Sequence, residues 1–417
     1  MKIFQTLIVS LITAFIISQS RINAQAQGDY FYRNFTAQDM KASDWIQSIA
    51  QDSRGIIYAG NNLGTVMEYD GSRWRTISAT NGPIRSLKAD DSGRIYVGSF
   101  GDFGYLEPDK KGALQYRSLV DKVPDEQRDF SDVWSIDFHG RDVYFRSVER
   151  LFRLRDGQIK TFTNPYGWFG NLIVMDDEMY VTLDYKGIIL KLNGDSLEKF
   201  FESKEFASVA FGASARYTKN QKLVGSWGGG LFIFSPQNNG KPGKKVLERL
   251  STPQAQSNKN LIRAAEVYLV EPGLYAARTN DGITVFDSTG AEIVWLNTSN
   301  GLNSSLIETV FSDKNQVLWI GTERGITRVD ISSPMSTWFS ISENTGTVWG
   351  IISYKNSIYF WGINGIFQLK NKQAVKIHEQ TYGLVEFQEP ADPSKTHLLA
   401  INSNSLVEIR NNQLYKL

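Results

Sequence analysis

The 417-residue chain carries 45 lysines and arginines against 44 aspartates and glutamates, with three histidines and no cysteine. This near-neutral balance offers no electrostatic grip on nucleic acid or an anionic membrane. The missing thiols exclude a disulfide framework and a cysteine nucleophile, and a chain this long has ample core without crosslinks.

Residues 1–26 read as a signal peptide. Lys2 supplies the positive start, residues 7–17 a short apolar run, and Ala24-Gln25-Ala26 a small-residue exit, so cleavage is expected after Ala24 or Ala26. An uncleaved anchor is the alternative. Without Lys2 and Arg21 the mature chain has 43 basic and 44 acidic residues, a net charge of −1. No later apolar run has the length of a membrane helix, so a periplasmic or extracellular protein that does not insert after cleavage is expected.

YFYRNF (residues 30–35) precedes the first full repeat and is a candidate strand to complete the last blade of a ring. The repeating unit is clearest at residues 318–330, LWIGTERGITRVD: bulky strand formers, a glycine-containing turn, then a second strand. The same hairpin recurs at IYAGNNLGTVMEYDG, IYVGSFGDFGYLEPD, VYFRSVERLFRLRDG, MYVTLDYKGIILKLNG, LVGSWGGGLFIF, LYAARTNDGITVFD, IYFWGINGIFQLK and LLAINSNSLVEIR. The turn before the second hairpin strand falls at Gly64, Gly104, Arg150, Gly187, Gly230, Gly282, Gly325, Gly365 and Ser405, a period of about 40 residues. An earlier strand closed by an Asp-x-x-Gly turn (Asp52 to Gly55, Asp90 to Gly93) and a later one (WRTIS at 74–78, STWFSI at 336–341) bring each unit to four strands.

Four-stranded units at this period define an all-β protein, a β-propeller. Nine units exceed the usual single ring, so the expected layout is one seven-bladed ring over residues 27–341 and two further repeats over 342–417, the start of an incomplete second ring. Tyr58, Tyr96, Tyr144, Trp319 and Tyr359, on the second strands, are expected to pack between blades. Residues 119–130 are read as one short helical turn. The polar stretch 237–260 is read as a mobile surface insertion.

Little of the chain suggests catalysis. His139, His378 and His397 stand in no metal-binding spacing, and no nucleophile elbow is present, so no catalytic residue, metal or cofactor is expected. SWGGG (226–230) lies between two strands and reads as a tight hairpin, not a phosphate cradle. Asp90 with Asp91, and Asp176 with Asp177, read as turn residues.

In a blade, the turn between second and third strands and the link to the next blade open on one face. That face gathers Asn61, Asn62, Phe100, Asp102, Tyr185, Ser226, Trp227, Asn280 and Glu323, with Tyr166 and Trp168 in a link. Aromatic platforms beside amides and carboxylates suit a polar, ring-shaped ligand. Trp227, flanked by glycines, is the leading candidate.

The chain resembles the sensor regions of bacterial regulators built from two-component-regulator propeller repeats, common in Bacteroidetes, above all those with a triple-tyrosine domain and a LuxR-type end. The resemblance runs from about Tyr30 to the C-terminus. It rests on WIQSIAQDSRGIIYAGNNLGTVMEYDGSRWR (45–75), RIYVGSFGDFGYLEPD (94–109), RDFSDVWSIDFHGRDVYFRSVERLFRL (128–154) and LWIGTERGITRVDISSP (318–334). It implies an extracytoplasmic ligand-sensing propeller for a small molecule or oligosaccharide, with signalling output outside residues 1–417. A protein-interaction scaffold and a carbohydrate-active hydrolase or lyase are the other readings. The oligomeric state stays open, a homodimer included.

Overall fold

The computed structural model describes residues 30–175, 178–333, 345–370, 373–379, 382–401 and 405–417. The leader expected at 1–26, the Asp176–Asp177 pair and the strand expected at 336–341 lie outside these residues. Nine four-stranded antiparallel sheets account for nearly all described structure, and α-helix among the described residues is limited to Ala37–Met40, Pro253–Ser257 and the single residue Thr345. The chain divides into two compact units, Tyr32–Ser332 and a second that includes Ser333–Leu417.

The first unit is a closed seven-bladed propeller. Blade 1 shows the pattern: Ile46–Gln51, Ile57–Asn61, Thr65–Tyr69 and Trp74–Ser78 follow one another from axis to rim. Blades 2 to 6 repeat it over residues 84–118, 135–162, 169–202, 211–249 and 266–296. Blade 7 takes three strands from residues 307–330, and its outermost strand is Phe31–Phe35 from the other end of the chain. Thr327 Oγ1 donates to Asn34 Oδ1 at 2.6 Å across that junction. The second unit holds two sheets, residues 348–378 and 383–416, which pack on each other through Tyr354, Ile366, Leu384, Leu398 and Ile409.

A blade has two apolar faces and must bury both against neighbours. The cores accordingly straddle blades. Tyr58 and Val66 of blade 1 meet Ile84, Val97 and Leu106 of blade 2. Tyr96 and Phe103 of blade 2 meet Phe145 and Phe152 of blade 3. At the ring closure Trp319 of blade 7 stacks on Phe35, which also meets Tyr69 and Trp74 of blade 1. The second-strand aromatics are therefore packing residues: Tyr58, Tyr96, Tyr144, Trp319 and Tyr359 are all buried.

The turn after the first strand, Asp-Lys-Asn-Gln at 313–316 and Asp-x-x-Gly at 52–55, anchors these aromatics by their polar ends. Asp313 Oδ1 accepts from the Asn315 and Val317 amides, while its Oδ2 accepts from Trp319 Nε1 at 2.9 Å. Asp52 does the same with the Arg54 and Ile56 amides and, at 3.4 Å, the Tyr58 hydroxyl. The glycine that follows the aromatic, as in IYAG and IYVG, has a different reason. A Cβ on Gly60 would sit 2.4 Å from Ile84, and one on Gly98 2.7 Å from Val133. Those are entry residues of the next blade, so the glycine lets adjacent blades approach near the axis.

Three expectations need correction. Residues 237–260 are structured: Leu247–Arg249 is the outer strand of blade 5, and Ala255 and Leu261 are buried. The length that suggested an insertion is a slow return to the next blade. Gly104 lies inside a strand, and the blade 2 turn falls at Phe100 and Gly101 (φ 60°). Residues 119–130 hold two 3-10 turns, Val120–Lys122 and Asp125–Gln127. SWGGG is a tight hairpin, with Ser226 facing Gly230.

Candidate functional site

The first strands of the seven blades surround the propeller axis, each beside the first strands of both neighbours. Their starting ends open on the same face as the second-to-third-strand turns. Immediately before the first strand stand Trp45 in blade 1, Trp134 in blade 3, Trp168 in blade 4 and Leu306 in blade 7, all exposed. Backbone bonds hold this position against the end of the second strand: Trp134 N–H donates to Arg146 O at 2.9 Å, Asp184 N–H to Trp168 O at 3.2 Å, and Trp227 N–H to Ala210 O at 3.0 Å. The axial mouth is thus edged with indole rings by a position that recurs from blade to blade.

A second device supplies polar groups. The first strands of blades 1, 2, 4, 5 and 7 all shift register by one residue just after they begin. Such a bulge leaves one residue unpaired and re-aims its side chain. In blades 1, 2 and 7 the unpaired residues are Gln47, Arg85 and Glu308. In blade 4 the shift spans Gly170 and Asn171. A Cβ on Gly170 would fall 2.3 Å from Asp184 Oδ1, so the glycine makes room for that carboxylate.

On one arc of the mouth the polar groups satisfy each other. The Arg278 guanidinium lies 5.1 Å over the Trp227 ring and donates to Glu266 Oε2 and to Glu308 O, each at 3.1 Å. The Tyr268 hydroxyl donates to Glu266 at 2.7 Å, and Trp45 Nε1 donates to Glu308 Oε1 at 3.0 Å. Burial first, then the Glu266 charge, push the Tyr268 phenol well above its ordinary range.

The opposite arc, on blades 2 to 4, is less complete. Arg85 pairs with Asp132 at 2.7 Å and lies 4.7 Å over the Trp134 ring, and Lys88 pairs with Asp137. Arg146 makes one side-chain hydrogen bond among the described residues, from Nε to Ser135 Oγ at 3.3 Å. Burial pushes its guanidinium down to about 10, against the pull of Asp184 and Asp137. Burial likewise raises the Asp184 carboxyl, opposed by Arg146. Asp184 Oδ1 and Asn171 Nδ2 are buried with no hydrogen-bond partner among the described residues, as is Gln47 Oε1 on blade 1 of the other arc.

The residues singled out from sequence divide between mouth and rim. Trp168 and Trp227 stand at the mouth, though Arg278 already covers one face of Trp227. Phe100 is exposed and bridges to Asp132, the partner of Arg85. Tyr185 is exposed at the blade 4 turn, where it adopts φ 58°, and Asn280 is exposed at the blade 6 turn. The others are tied locally. Asn62 accepts from Ser43, Asp102 from Ser118, and Glu323 from Ser304. Tyr166 is exposed in its link, with the Lys199 ammonium 5.9 Å over its ring. Sequence reasoning missed Trp45, Trp134, Arg85, Arg146, Asp184, Glu266, Arg278 and Glu308. Aligning the repeats at the residue before the first strand finds the three tryptophans. Nothing in the sequence marks the bulges.

No protein-family model matches the chain, and no curated protein matches it. Solved structures do. The chain is similar to the extracellular domain described as that of the hybrid two-component system BT3049 from B. thetaiotaomicron, with TM-score 0.61, 16% identity, and coverage of 93% of this chain and 54% of the other. The matching domain of BT4673 from the same organism gives TM-score 0.53, 16% identity, and 93% and 53% coverage. Streptogramin B lyase gives TM-score 0.56 at 13% identity, covering 72% of this chain and 98% of the other. The likeness is one of fold. The chain spans about half the length of the two extracellular domains. Among the described residues no helix is long and apolar enough to cross a membrane, and no cluster of three or more histidines and carboxylates is placed to hold a metal ion.

Proposed function

We propose that this chain is the extracytoplasmic ligand-sensing propeller region of a bacterial signal-transduction or transcription regulator, and that a polar small molecule or sugar binds at the axial mouth. The observation that carries the reading is the juxtaposition there of exposed indoles with re-aimed polar side chains. A flat apolar platform beside a few oriented hydrogen bonds is what such a ligand requires. The fold likeness to extracellular domains described as parts of two-component systems supports the sensing role, as does the leader read in residues 1–26. Output would be carried by modules outside residues 1–417.

Calorimetric titration of the mature protein with a panel of mono- and oligosaccharides and small polar metabolites tests this. The alanine double variant of Trp168 and Trp227 should bind at least tenfold more weakly, with a melting temperature within a few degrees of the parent. A double variant that unfolds, or that binds as the parent does, overturns the placement. Recovery of a chemically altered ligand would favour a lyase or hydrolase instead.

A further inference from the structure

The two arcs of the mouth differ in what they leave unspent. On blades 5, 6, 7 and 1 every charged group named above has its partner, and the one buried polar atom left over there among those named is the neutral Gln47 Oε1. On blades 3 and 4 three groups do not. The Arg146 guanidinium uses only Nε, so its two terminal nitrogens have no protein partner among the described residues. Asn171 Nδ2 and Asp184 Oδ1 are buried and unpaired.

Buried polar groups are rarely left unsatisfied, because an unpaired one loses its solvation without return. Here they belong to one place. Arg146 ends the second strand of blade 3, and its carbonyl accepts from Trp134. Asp184 follows the second strand of blade 4, and its amide donates to Trp168. Asn171 is in the bulge of the strand that Trp168 precedes. Two exposed indoles therefore flank the group. On the same arc Arg85 is engaged by Asp132 and Lys88 by Asp137. A guanidinium presents its terminal nitrogens as a planar fork that fits a carboxylate. Arg146 is half-buried, so water competes less for such a contact than at an open surface. Asp184 needs the reverse, a donor from the ligand.

We propose that blades 3 and 4 form a subsite for a small molecule carrying a carboxylate flanked by a hydrogen-bond donor. The carboxylate takes the terminal nitrogens of Arg146, the neighbouring hydroxyl or ammonium donates to Asp184 Oδ1, Asn171 Nδ2 donates to a further ligand oxygen, and Trp134 and Trp168 cover its apolar faces. Hydroxy acids, including sugar acids, and α-amino acids share this chemistry. The subsite rests on the placement of the ligand at the axial mouth.

Titration of the mature protein, followed by tryptophan fluorescence and calorimetry, uses D-galacturonate and D-glucuronate as hydroxy-acid probes and a set of L-amino acids as the other arm. D-Galactose, D-glucose and the amino-acid amides are the neutral controls. At least one carboxylate probe should bind ten times or more tighter than its neutral control. Arg146→Gln should weaken that probe at least tenfold and leave the neutral control within twofold, and Asp184→Asn should weaken it too. Arg278→Gln, on the completed arc, reports on the mouth as a whole. Equal affinity for acid and neutral control, or an Arg146→Gln variant that keeps the preference, overturns the subsite while leaving a sensor of neutral ligands standing. Failure of every carboxylate probe also overturns it. Binding lost equally in Arg146→Gln and Arg278→Gln, with melting unchanged, places the ligand across the whole mouth and overturns the assignment to blades 3 and 4.

Discussion

Gly98 has no side chain to offer, and its position shows why none fits. A Cβ there would lie 2.3 Å from Ser86 Oγ, 2.7 Å from Val133 Cγ1 and 2.8 Å from Val133 O. Overpacking of this kind costs about 1–3 kcal/mol, and the stiffer unfolded chain of an alanine variant returns roughly 0.4–1 kcal/mol of it. Gly98→Ala should therefore lower the urea midpoint of the propeller, and an unchanged midpoint would mean that blades 2 and 3 separate freely. A titrating residue sits in the second unit. His397 bonds Glu408 through Nδ1 at 2.6 Å and Glu389 through Nε2 at 2.9 Å. The bond to Glu408, then that to Glu389, raises its pKa above 6.5. Arg410, then His397, holds the Glu408 carboxyl below 4.5, against the opposing effect of burial. The raised histidine stabilises the fold fully below its unfolded value near 6.5 and loses that effect as pH climbs through the folded value. The lowered carboxylate stabilises above 4.5 and loses its effect as pH falls through its own folded value. The second unit should be most stable between these limits and should weaken from pH 6 to pH 9. His397→Gln should flatten that alkaline slope, which melting curves across the range will show.

At the scale of strands, the rim of blade 7 depends on Phe31–Phe35. Its Phe35 is buried among Tyr69, Trp74 and Trp319, and loss of a buried aromatic costs about 3–5 kcal/mol. Removing residues 30–36 also bares the edge of Gly325–Asp330 to pairing with other chains. The shortened protein should melt lower and elute in part as aggregates, and size exclusion with thermal melting decides the matter. Strands of this kind were legible in the sequence because alternation and turn residues report local backbone geometry. Even the YFYRNF strand could be assigned to a ring closure, since a last blade otherwise lacks its rim. The bulges were not legible. Arg85 and Glu308 read as ordinary outward polar residues in half-buried strands, because a one-residue slip leaves no mark on composition. Asn62 and Glu323, in turns, and Asp102, at the start of a strand beside one, were visible for the opposite reason. They are polar groups at or beside the hairpin turns, yet each is engaged by a nearby serine. A site formed by seven strand ends is a property of the ring, and no single repeat contains it.

For the whole molecule, the propeller closes on residues of its own unit, with cores spanning blade to blade and Trp319 meeting Phe35 at the junction. A chain of residues 27–333 should accordingly fold alone, melt in one transition and bind ligand as the parent does. The two sheets beyond it expose Trp349, Ile351, Val385 and Phe387. Limited proteolysis should cut first after residue 333. A protected fragment from the C-terminal unit, with the propeller digested, would refute this division.

The strand that seals the ring is also the first described part of the chain to leave the ribosome. Asn34 must wait for Thr327, 293 positions later, before their hydrogen bond can form. Contacts so distant in sequence carry a large loop-closure entropy and slow the folding search. A chain emerging in amino-to-carboxyl order would form its blades one by one as an open, unlocked arc. Only when residues near 330 emerged would the arc snap into a ring. A chain stalled before blade 7 would stay an easy substrate for proteases. Refolding from denaturant should show this late locking as a slow phase in the environment of Trp319, after most sheet has formed.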